Sequence, residues 1–272
     1  MNDYIVVNFS GGKDSTAMLL RMIELGEHID EVICCDTTKE FPAMYRHIEI
    51  VKKVVESAGI KFTVLRAEKD FDHLMFDHIV QPRDGSTPKN GYSWADARSR
   101  WCTRLLKTAI SERHLKALTK QYNVVQCNGI AADEQYRLER SGNQQTGKRF
   151  PLVEWGWTEA HCLVYCIELG YDWEGLYEIF ERVSCWCCPL QGLDDLRGLR
   201  KHFPDLWQEL RDMDKRTWRR FRADYSVEEL EIRFQLEEEM AAKGLPTSGR
   251  TKIFREALKE RLGEYRNGIQ DR

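Results

Sequence analysis

Residues 4–16 read Tyr4-Ile5-Val6-Val7-Asn8-Phe9-Ser10-Gly11-Gly12-Lys13-Asp14-Ser15-Thr16. The apolar run Tyr4–Asn8 predicts a buried strand, the glycine pair a tight turn, and the residues through about Leu25 a helix. The alternation continues down the chain. Glu31–Asp36 and Lys61–Arg66 read as strands, and between them Pro42–Ala58 is a helix with Ile48, Val51, Val54 and Val55 on one side. The polar stretch Gln81–Ser93, with two prolines and two glycines, is expected to be a loop. Arg98–Lys120 is expected as a helix and Asn123–Asn128 as a strand ending at Gly129. Strands alternating with helices specify a doubly wound parallel α/β sheet, Rossmann-like in plan. From about Phe150 the strand signal fades. Helices are expected over Thr158–Leu169, Trp173–Arg182, Leu193–His202, Asp205–Phe221, Ser226–Ala242 and Thr251–Glu264, and Ser226 with Glu229 has the spacing of a capping box.

The turn after the first strand carries the most specific chemistry. Two glycines let backbone N–H groups approach an anion closely, and the helix that follows adds the positive end of its dipole. Lys13 adds charge, and Ser10, Ser15 and Thr16 add hydroxyl donors. The spacing is neither Gly-x4-Gly-Lys-Ser/Thr nor Gly-x-Gly-x-x-Gly. Asp14 is repelled by phosphates unless it shares Mg²⁺ with them or caps the helix, and the Mg²⁺-linked role is the expectation. A tight strand–helix turn alone accounts for the glycines but not for the Lys-Asp-Ser-Thr run. Asp36, at the C-terminal end of a central strand, sits where open parallel sheets place ligands, with a loop-capping role as the alternative. Arg137 and Arg140 follow the Gly129 turn and are either phosphate ligands or ordinary solvated arginines.

The segment Ser10-Gly11-Gly12-Lys13-Asp14-Ser15 resembles the PP-loop of the adenine nucleotide alpha hydrolase superfamily, which includes the N-type ATP pyrophosphatases and the phosphoadenosine phosphosulfate (PAPS) reductase family. Asp36-Thr37-Thr38-Lys39-Glu40-Phe41-Pro42 is similar to that family's Asp-Thr-Gly-x-x-Phe-Pro segment near the adenosine. Gly129 to Glu134 resembles its Gly-x-Arg-x-x-Glu turn, and Pro151-Leu152-Val153-Glu154-Trp155 resembles its Pro-Leu-Ile-Asp-Trp. The resemblance runs over about residues 1–205. It implies a nucleotide-binding α/β domain over residues 1–150 and a helical region over 151–272 packed on it. It further implies an adenylyl nucleotide or ATP with Mg²⁺ on Ser10, Gly11, Gly12, Lys13, Asp14, Ser15 and Thr16, flanked by Asp36, Gly129 and Arg137. Lys13, Asp14 and Ser15 then carry the chemistry: cleavage between the α and β phosphates, transfer of AMP to an acceptor, and release of pyrophosphate.

Cys185-Trp186-Cys187-Cys188-Pro189 places three thiols within four residues, and the Cys-x-x-Cys spacing of Cys185 and Cys188 lets two sulfurs face one metal. The family often adds an earlier Cys-Cys pair; here only Cys102 is present, with Thr103 in the second place. Cys102, Cys185 and Cys188 are thus expected to hold an iron–sulfur cluster of the 4Fe-4S kind with one open iron, as the resemblance to tRNA-thiolating members implies. Cys187 as a fourth ligand, a zinc site, redox thiols and inert core cysteines are the alternatives. Cys34, Cys35, Cys127, Cys162 and Cys166 are expected in the core. No cysteine follows Cys188, which argues against the C-terminal nucleophilic cysteine of the sulfate-reducing members.

The 272 residues are 42% hydrophobic and 31% charged with a net charge of −3, which excludes a disordered tail and a uniformly basic coat. No apolar run approaches a bilayer span, and Met1-Asn2-Asp3-Tyr4 has no basic leader, so neither a membrane anchor nor a signal peptide is expected. Nine cysteines then suit a reducing, cytoplasmic setting. Charge is nonetheless patterned. Arg98–Tyr122 holds seven Lys/Arg against one Glu, Arg211–Arg222 six against two Asp with Trp218 and Phe221 interleaved, and Glu228–Glu239 six Glu against one Arg. Such basic stretches suit RNA or DNA, or pair with acidic neighbours. The expected activity is ATP-dependent adenylation for sulfur transfer to a nucleic acid or small molecule, with a sulfur donor protein as a possible partner. Reduction of an adenylyl-sulfate-type compound and a non-catalytic nucleotide-sensing module are the alternatives.

Overall fold

A computed structural model of the chain describes residues 1–82, 85–139 and 146–270, the side chains of 269 and 270 excepted. In chain order the strands are β1 (Asp3–Phe9), β2 (Glu31–Asp36), β3 (Lys61–Arg66), β4 (Ile79–Val80), β5 (Lys89–Asn90), β6 (Asn123–Asn128) and β7 (Lys148–Arg149). Five of them form a sheet in the order β3-β2-β1-β6-β7 in which every pairing is parallel. Parallel strands joined through helices are covered on both faces, so central strands read as nearly continuous apolar runs. Accordingly Val6, Val7 and Val32 are fully buried. Register places Val7 between Val32 and Cys127, and Asn8 between Ile33 and Asn128. The α/β doubly wound expectation is met.

Helices α1 (Lys13–Glu24) and α2 (Pro42–Ser57) follow β1 and β2, and Pro42 opens α2 at the position where a missing N–H costs nothing. Residues 101–118 form one helical run that widens into a π turn over Arg104–Thr108, shorter at both ends than Arg98–Lys120. Leu115 from this run packs with Val6 and Ile33, bordered by Tyr4, Leu65, Leu118 and Val124.

The backbone divides into two compact units, residues 1–74 with 99–188, and residues 75–98 with 189–272. This division falls at 188/189 rather than at 150, because the stretch through Cys188 completes the sheet's own unit. In the second unit, Leu236, Met240, Phe254, Leu258 and Leu262 make a buried cluster between helices Val227–Ala242 and Lys252–Gln270. Both halves of the Ser226 capping box are present: Ser226 Oγ accepts from Glu229 N–H at 3.2 Å, and the Glu229 carboxylate accepts from Ser226 N–H at 2.8 Å. The helix expected over Asp205–Phe221 is Pro204–Lys215. It stops early because the Thr217 hydroxyl takes the Asp214 carbonyl at 2.8 Å, and the Asp214 carboxylate accepts from Trp94 Nε1–H at 2.7 Å and Val227 N–H at 2.8 Å. The expected loop Gln81–Ser93 contains β5, paired antiparallel with β4. Trp173–Arg182 also departs from expectation: only Leu176–Ile179 is α-helical, preceded by a turn in which Trp173, Glu174 and Gly175 all have positive φ. No helix among the described residues is long and apolar enough to cross a membrane.

Glu31 opens β2 with no exposed surface. Its carboxylate accepts from Thr63 Oγ1 at 2.5 Å and Tyr4 Oη at 3.4 Å, and lies 2.9 Å from Lys61 Nζ and 3.1 Å from His114 Nε2. Burial alone would raise its pKa; the Thr63, Lys61 and His114 contacts outweigh burial and leave it lowered. A depressed folded-state pKa adds stability above the unfolded carboxylate value of about 4.3, and that stability is lost as pH falls through the folded value. Glu31→Gln is therefore expected to cost roughly 3 kcal/mol at pH 7 and to flatten the acid limb of stability below about pH 5. Urea denaturation from pH 3 to 7 measures both, and an unchanged acid limb would count against the assignment.

Candidate nucleotide site

Between β1 and α1 the chain turns through Ser10-Gly11-Gly12. Since β2 lies on one side of β1 and β6 on the other, the order reverses at β1, and a crevice opens beyond the C-terminal ends of β1 and β6. Gly11 has φ +81°, and a Cβ there would stand 2.6 Å from Met44 Sδ. Gly129, ending the turn after β6, comes so close that its Cβ would lie 3.0 Å from both Ser15 Cα and Ser15 N. Those are backbone atoms of the first turn of α1, so glycine is what lets the two loops meet. Beneath them Asn8 Nδ2 donates to Asn128 Oδ1 at 2.9 Å, a polar rung between β1 and β6.

The Ser15 hydroxyl holds the loop together. It accepts from Ser10 N–H at 3.1 Å, donates to the Gly12 carbonyl at 3.0 Å and shares a hydrogen bond with Ser10 Oγ at 3.0 Å. Thr16, expected to face the ligand, is instead fully buried, with its hydroxyl 3.0 Å from His47 Nε2 and 3.4 Å from the Gly11 carbonyl. One residue further along the helix than Ser15, its side chain turns about 100° away and into the core.

Lys13 Nζ contacts both carboxylate oxygens of Asp14 at 3.2 Å and pairs with Glu159. Burial works against the ammonium, but Glu159 and Asp14 outweigh it and keep the Lys13 pKa raised. Glu159 begins helix Glu159–Glu168, and its backbone N–H donates to Asp133 Oδ1 at 3.1 Å. The Asp14 carboxyl is pushed up to about 6, chiefly by burial and further by Glu159 and Glu134, against the pull of Lys13. Carboxylates crowded at an anion-binding loop fit Mg²⁺, which keeps several waters and takes one or two carboxylates together with substrate phosphates. Asp14 is the residue that would offer such a carboxylate.

The other expected ligands are already engaged. Asp36 accepts from Thr38 N–H at 2.8 Å, Tyr45 Oη at 3.0 Å and Arg66 Nε at 2.7 Å, the loop-capping arrangement. Arg137 Nη1 pairs with Glu134 at 2.5 Å. Arg140 lies outside the described residues. In the run Arg211–Arg222, Arg211 pairs with Glu228, Lys215 with Asp212, Arg219 with Asp96, Arg220 with Glu229 and Arg222 with Asp224, while Arg216 lies 3.8 Å from the Phe76 ring centroid.

The thiols are distributed differently from a ligand set. Cys188 N–H donates to the Cys185 carbonyl at 3.1 Å, so the two share one turn. Cys185 Sγ, however, lies 3.3 Å from Glu40 Oε1 and 3.6 Å from Thr37 Oγ1, and burial followed by Glu40 pushes its pKa up. Cys187 is 1% exposed with its thiol held neutral by burial, and Cys102 is half-buried on the helical run. Among the described residues no three Cys, His, Asp or Glu side chains converge to hold a metal ion. Cys102, Cys185, Cys187 and Cys188 therefore form no single-ion site such as zinc among the described residues. Cys34, Cys127, Cys162 and Cys166 are buried as expected, whereas Cys35 is half-buried with its sulfur 3.1 Å from Ser111 Oγ. Lys107, on the π turn, lies 3.6 Å from Glu40 Oε1 beside Cys185. Desolvation opposes its charge, but Glu40 and then Cys185, Cys35 and Cys34 favour it.

Residues 4–191 match the family described as the phosphoadenosine phosphosulfate reductase domain. The chain belongs to this family. It is also 27% identical over 220 residues to the uncharacterized protein MJ0066 of Methanocaldococcus jannaschii, a match covering 75% of this chain. The chain spans only 40% of that relative's length. The PAPS reductase family binds adenine nucleotides, and the loop Ser10–Ser15 lies within the matched residues. Glu159, Tyr177, Trp173 and His47 around it were not singled out from the sequence. Thr158-Glu159 reads as an ordinary helix start, and nothing local links any of the four to residue 11 or 13.

Two outcomes follow from this geometry. Gly129→Ala must separate the β6 turn from Ser15, so the affinity for an adenine nucleotide measured by calorimetry should fall about tenfold with Tm lowered by only a few degrees. Protonation of Asp14 removes the charge that Mg²⁺ needs. The Mg²⁺-dependent gain in nucleotide affinity should be complete above pH 7 and fall as pH drops through about 6, a dependence that Asp14→Asn abolishes. A gain that stays constant from pH 5 to 7.5 in the unaltered protein contradicts this role for Asp14.

Proposed function

We propose that this protein is an ATP-dependent enzyme that adenylates an acceptor oxygen and releases pyrophosphate, preparing that position for replacement by sulfur. The observation that carries the reading is the loop itself. An intact Ser10-Gly11-Gly12-Lys13-Asp14-Ser15 lies at the sheet's switch point with a lysine and a half-buried carboxylate side by side. A protein that only receives an already adenylated sulfate has less use for a metal-binding carboxylate beside the lysine.

In this reading the triphosphate lies over the N-terminus of α1, where backbone N–H groups and the helix dipole favour anions. Bound Mg²⁺ supplies charge neutralisation across the polyphosphate. Lys13 leaves Glu159 for the phosphates and stabilises the charge that develops on the leaving pyrophosphate. The acceptor oxygen bonds to the α-phosphorus, the bond from that phosphorus to the α–β bridging oxygen breaks, and the proton leaves the acceptor for water. AMP attached to the acceptor oxygen is then a good leaving group for a sulfur nucleophile. The sulfur half of the reading is supported by the family resemblance and by the surroundings of Cys185, with Glu40 and Lys107 beside its thiol. A reductase acting on an adenylyl-sulfate nucleotide is the second reading, favoured by the family's description.

The test supplies α-labelled ATP with Mg²⁺ and pools of RNA, DNA or small-molecule acceptors, and follows pyrophosphate and acceptor-bound AMP. Pyrophosphate rather than orthophosphate is the expected product. Lys13→Ala should lower its release at least 100-fold, a loss of about 3 kcal/mol of transition-state stabilisation. Tight binding of an adenylyl-sulfate nucleotide with no pyrophosphate from any acceptor would instead establish the second reading.

A further inference from the structure

The segment expected to be a regular helix from Trp173 is instead strained. Trp173 has φ +51°, Glu174 +53° and Gly175 +80°, and the first two are residues for which the left-handed region is costly. Such outliers persist only where surrounding contacts over-determine them, and they concentrate at functional sites. Here the contacts all lead to the nucleotide loop. Trp173 is 2% exposed, and its indole N–H donates to the Gly11 carbonyl at 2.8 Å. Its ring packs 4.6 Å from His47, whose Nε2 reaches the Thr16 hydroxyl that also contacts the Gly11 carbonyl. His47 is 4% exposed, and burial pushes its pKa down to about 4, so the ring is a neutral spacer in this stack. Four residues after Trp173, the Tyr177 hydroxyl accepts from the Lys13 backbone N–H at 2.9 Å, with its ring set edge-on to Trp173 at 4.8 Å. On the exposed side the turn is fastened by the Glu174 carboxylate, which takes Arg46 Nε and Nη2 at 2.5 and 2.6 Å.

We infer that the Trp173–Tyr177 turn is a two-point clamp on the nucleotide loop, in which Trp173 positions the Gly11 peptide and the Tyr177 hydroxyl is a stand-in acceptor that the phosphate of an adenine nucleotide displaces. The inference rests on the nucleotide-site reading above and adds residues to it. The two contacts act in opposite directions. With its carbonyl held inward by Trp173, the Gly11 peptide keeps the N–H groups that follow turned outward, so Trp173 favours phosphate binding. Tyr177 occupies one of those N–H groups in the free protein, so it competes with phosphate. The hydroxyl also spares the Lys13 N–H from going without an acceptor while the site is empty.

Conservative variants separate the two roles, because Trp173→Phe keeps a ring and removes only the indole donor, and Tyr177→Phe removes only the hydroxyl. Trp173→Phe is expected to weaken Mg·ATP binding about tenfold while adenosine affinity stays within twofold, since the loop touches only the phosphates. Tyr177→Phe is expected to tighten Mg·ATP about threefold, again without changing adenosine. A general loss of packing cannot give opposite signs from neighbouring residues. Both variants weakening ATP, or both shifting ATP and adenosine together, overturns the clamp. Amide hydrogen exchange in the nucleotide-free protein gives a readout that needs no ligand. Tyr177→Phe should speed exchange at the Lys13 amide at least tenfold, and Trp173→Phe should speed it at Gly12 and Lys13, with the β1 amides unchanged. If the unaltered protein binds no adenine nucleotide, the nucleotide reading fails while exchange still decides the clamp, and unchanged exchange in both variants refutes it.

Discussion

Gly11 stands where β1 must turn into α1, in a left-handed conformation with the Met44 sulfur where a side chain would begin. Its carbonyl points into the protein, to Trp173 and Thr16. The remainder of the site is arranged around that peptide. Ser15 closes the loop from within, Gly129 brings the β6 turn against it, and Tyr177 meets the first amide of α1. A parallel sheet supplies the crevice by reversing strand order at β1, and the loop supplies the dipoles that make the crevice selective for anions.

The electrostatics of the empty site follow from the same geometry. Lys13 is held by Asp14 and Glu159. Asp14 is buried enough, and close enough to Glu159 and Glu134, that its proton is lost only near pH 6. The lysine and its carboxylates thus neutralise one another, so neither charge is buried unpaired.

Cys185 and Cys35 lie near the end of β2. Glu40 links Lys107 to Cys185, and Cys35 faces the same helical run. A π turn carries Lys107, an irregularity frequent where a helix must aim a side chain at a site. Sulfur chemistry here would begin from neutral thiols, because burial and Glu40 oppose a Cys185 thiolate while Lys107 favours it.

Much of the fold was legible in residues 1–66 and 123–128, because alternating apolar runs and glycine turns are local signals, and β2 and the middle of β1 are buried in the sheet. The Ser226 capping box was legible for the same reason, since both of its hydrogen bonds lie within four residues. The turn at Ser10–Gly12 was legible from its glycines, which lie between a strand and a helix. Trp173–Arg182 misled because its composition suits a helix, and only the pull of Gly11 and Lys13, more than 160 residues away in sequence, makes the left-handed turn worthwhile. Thr16 and Ser15 look interchangeable in sequence, yet a 100° step around the helix sends one to the core and the other to the loop. Asp36 looked like a ligand from its strand end, and its three partners, Thr38, Tyr45 and Arg66, come from separate elements. The sequence by itself determined the strand–turn–helix at Ser10–Ser15 and the sheet class that carries it, because those depend on neighbouring residues. Tertiary structure alone decided which side chains hold that loop and which charges face Lys13, because hydrogen bonds and ion pairs between distant segments exist only once the chain has packed.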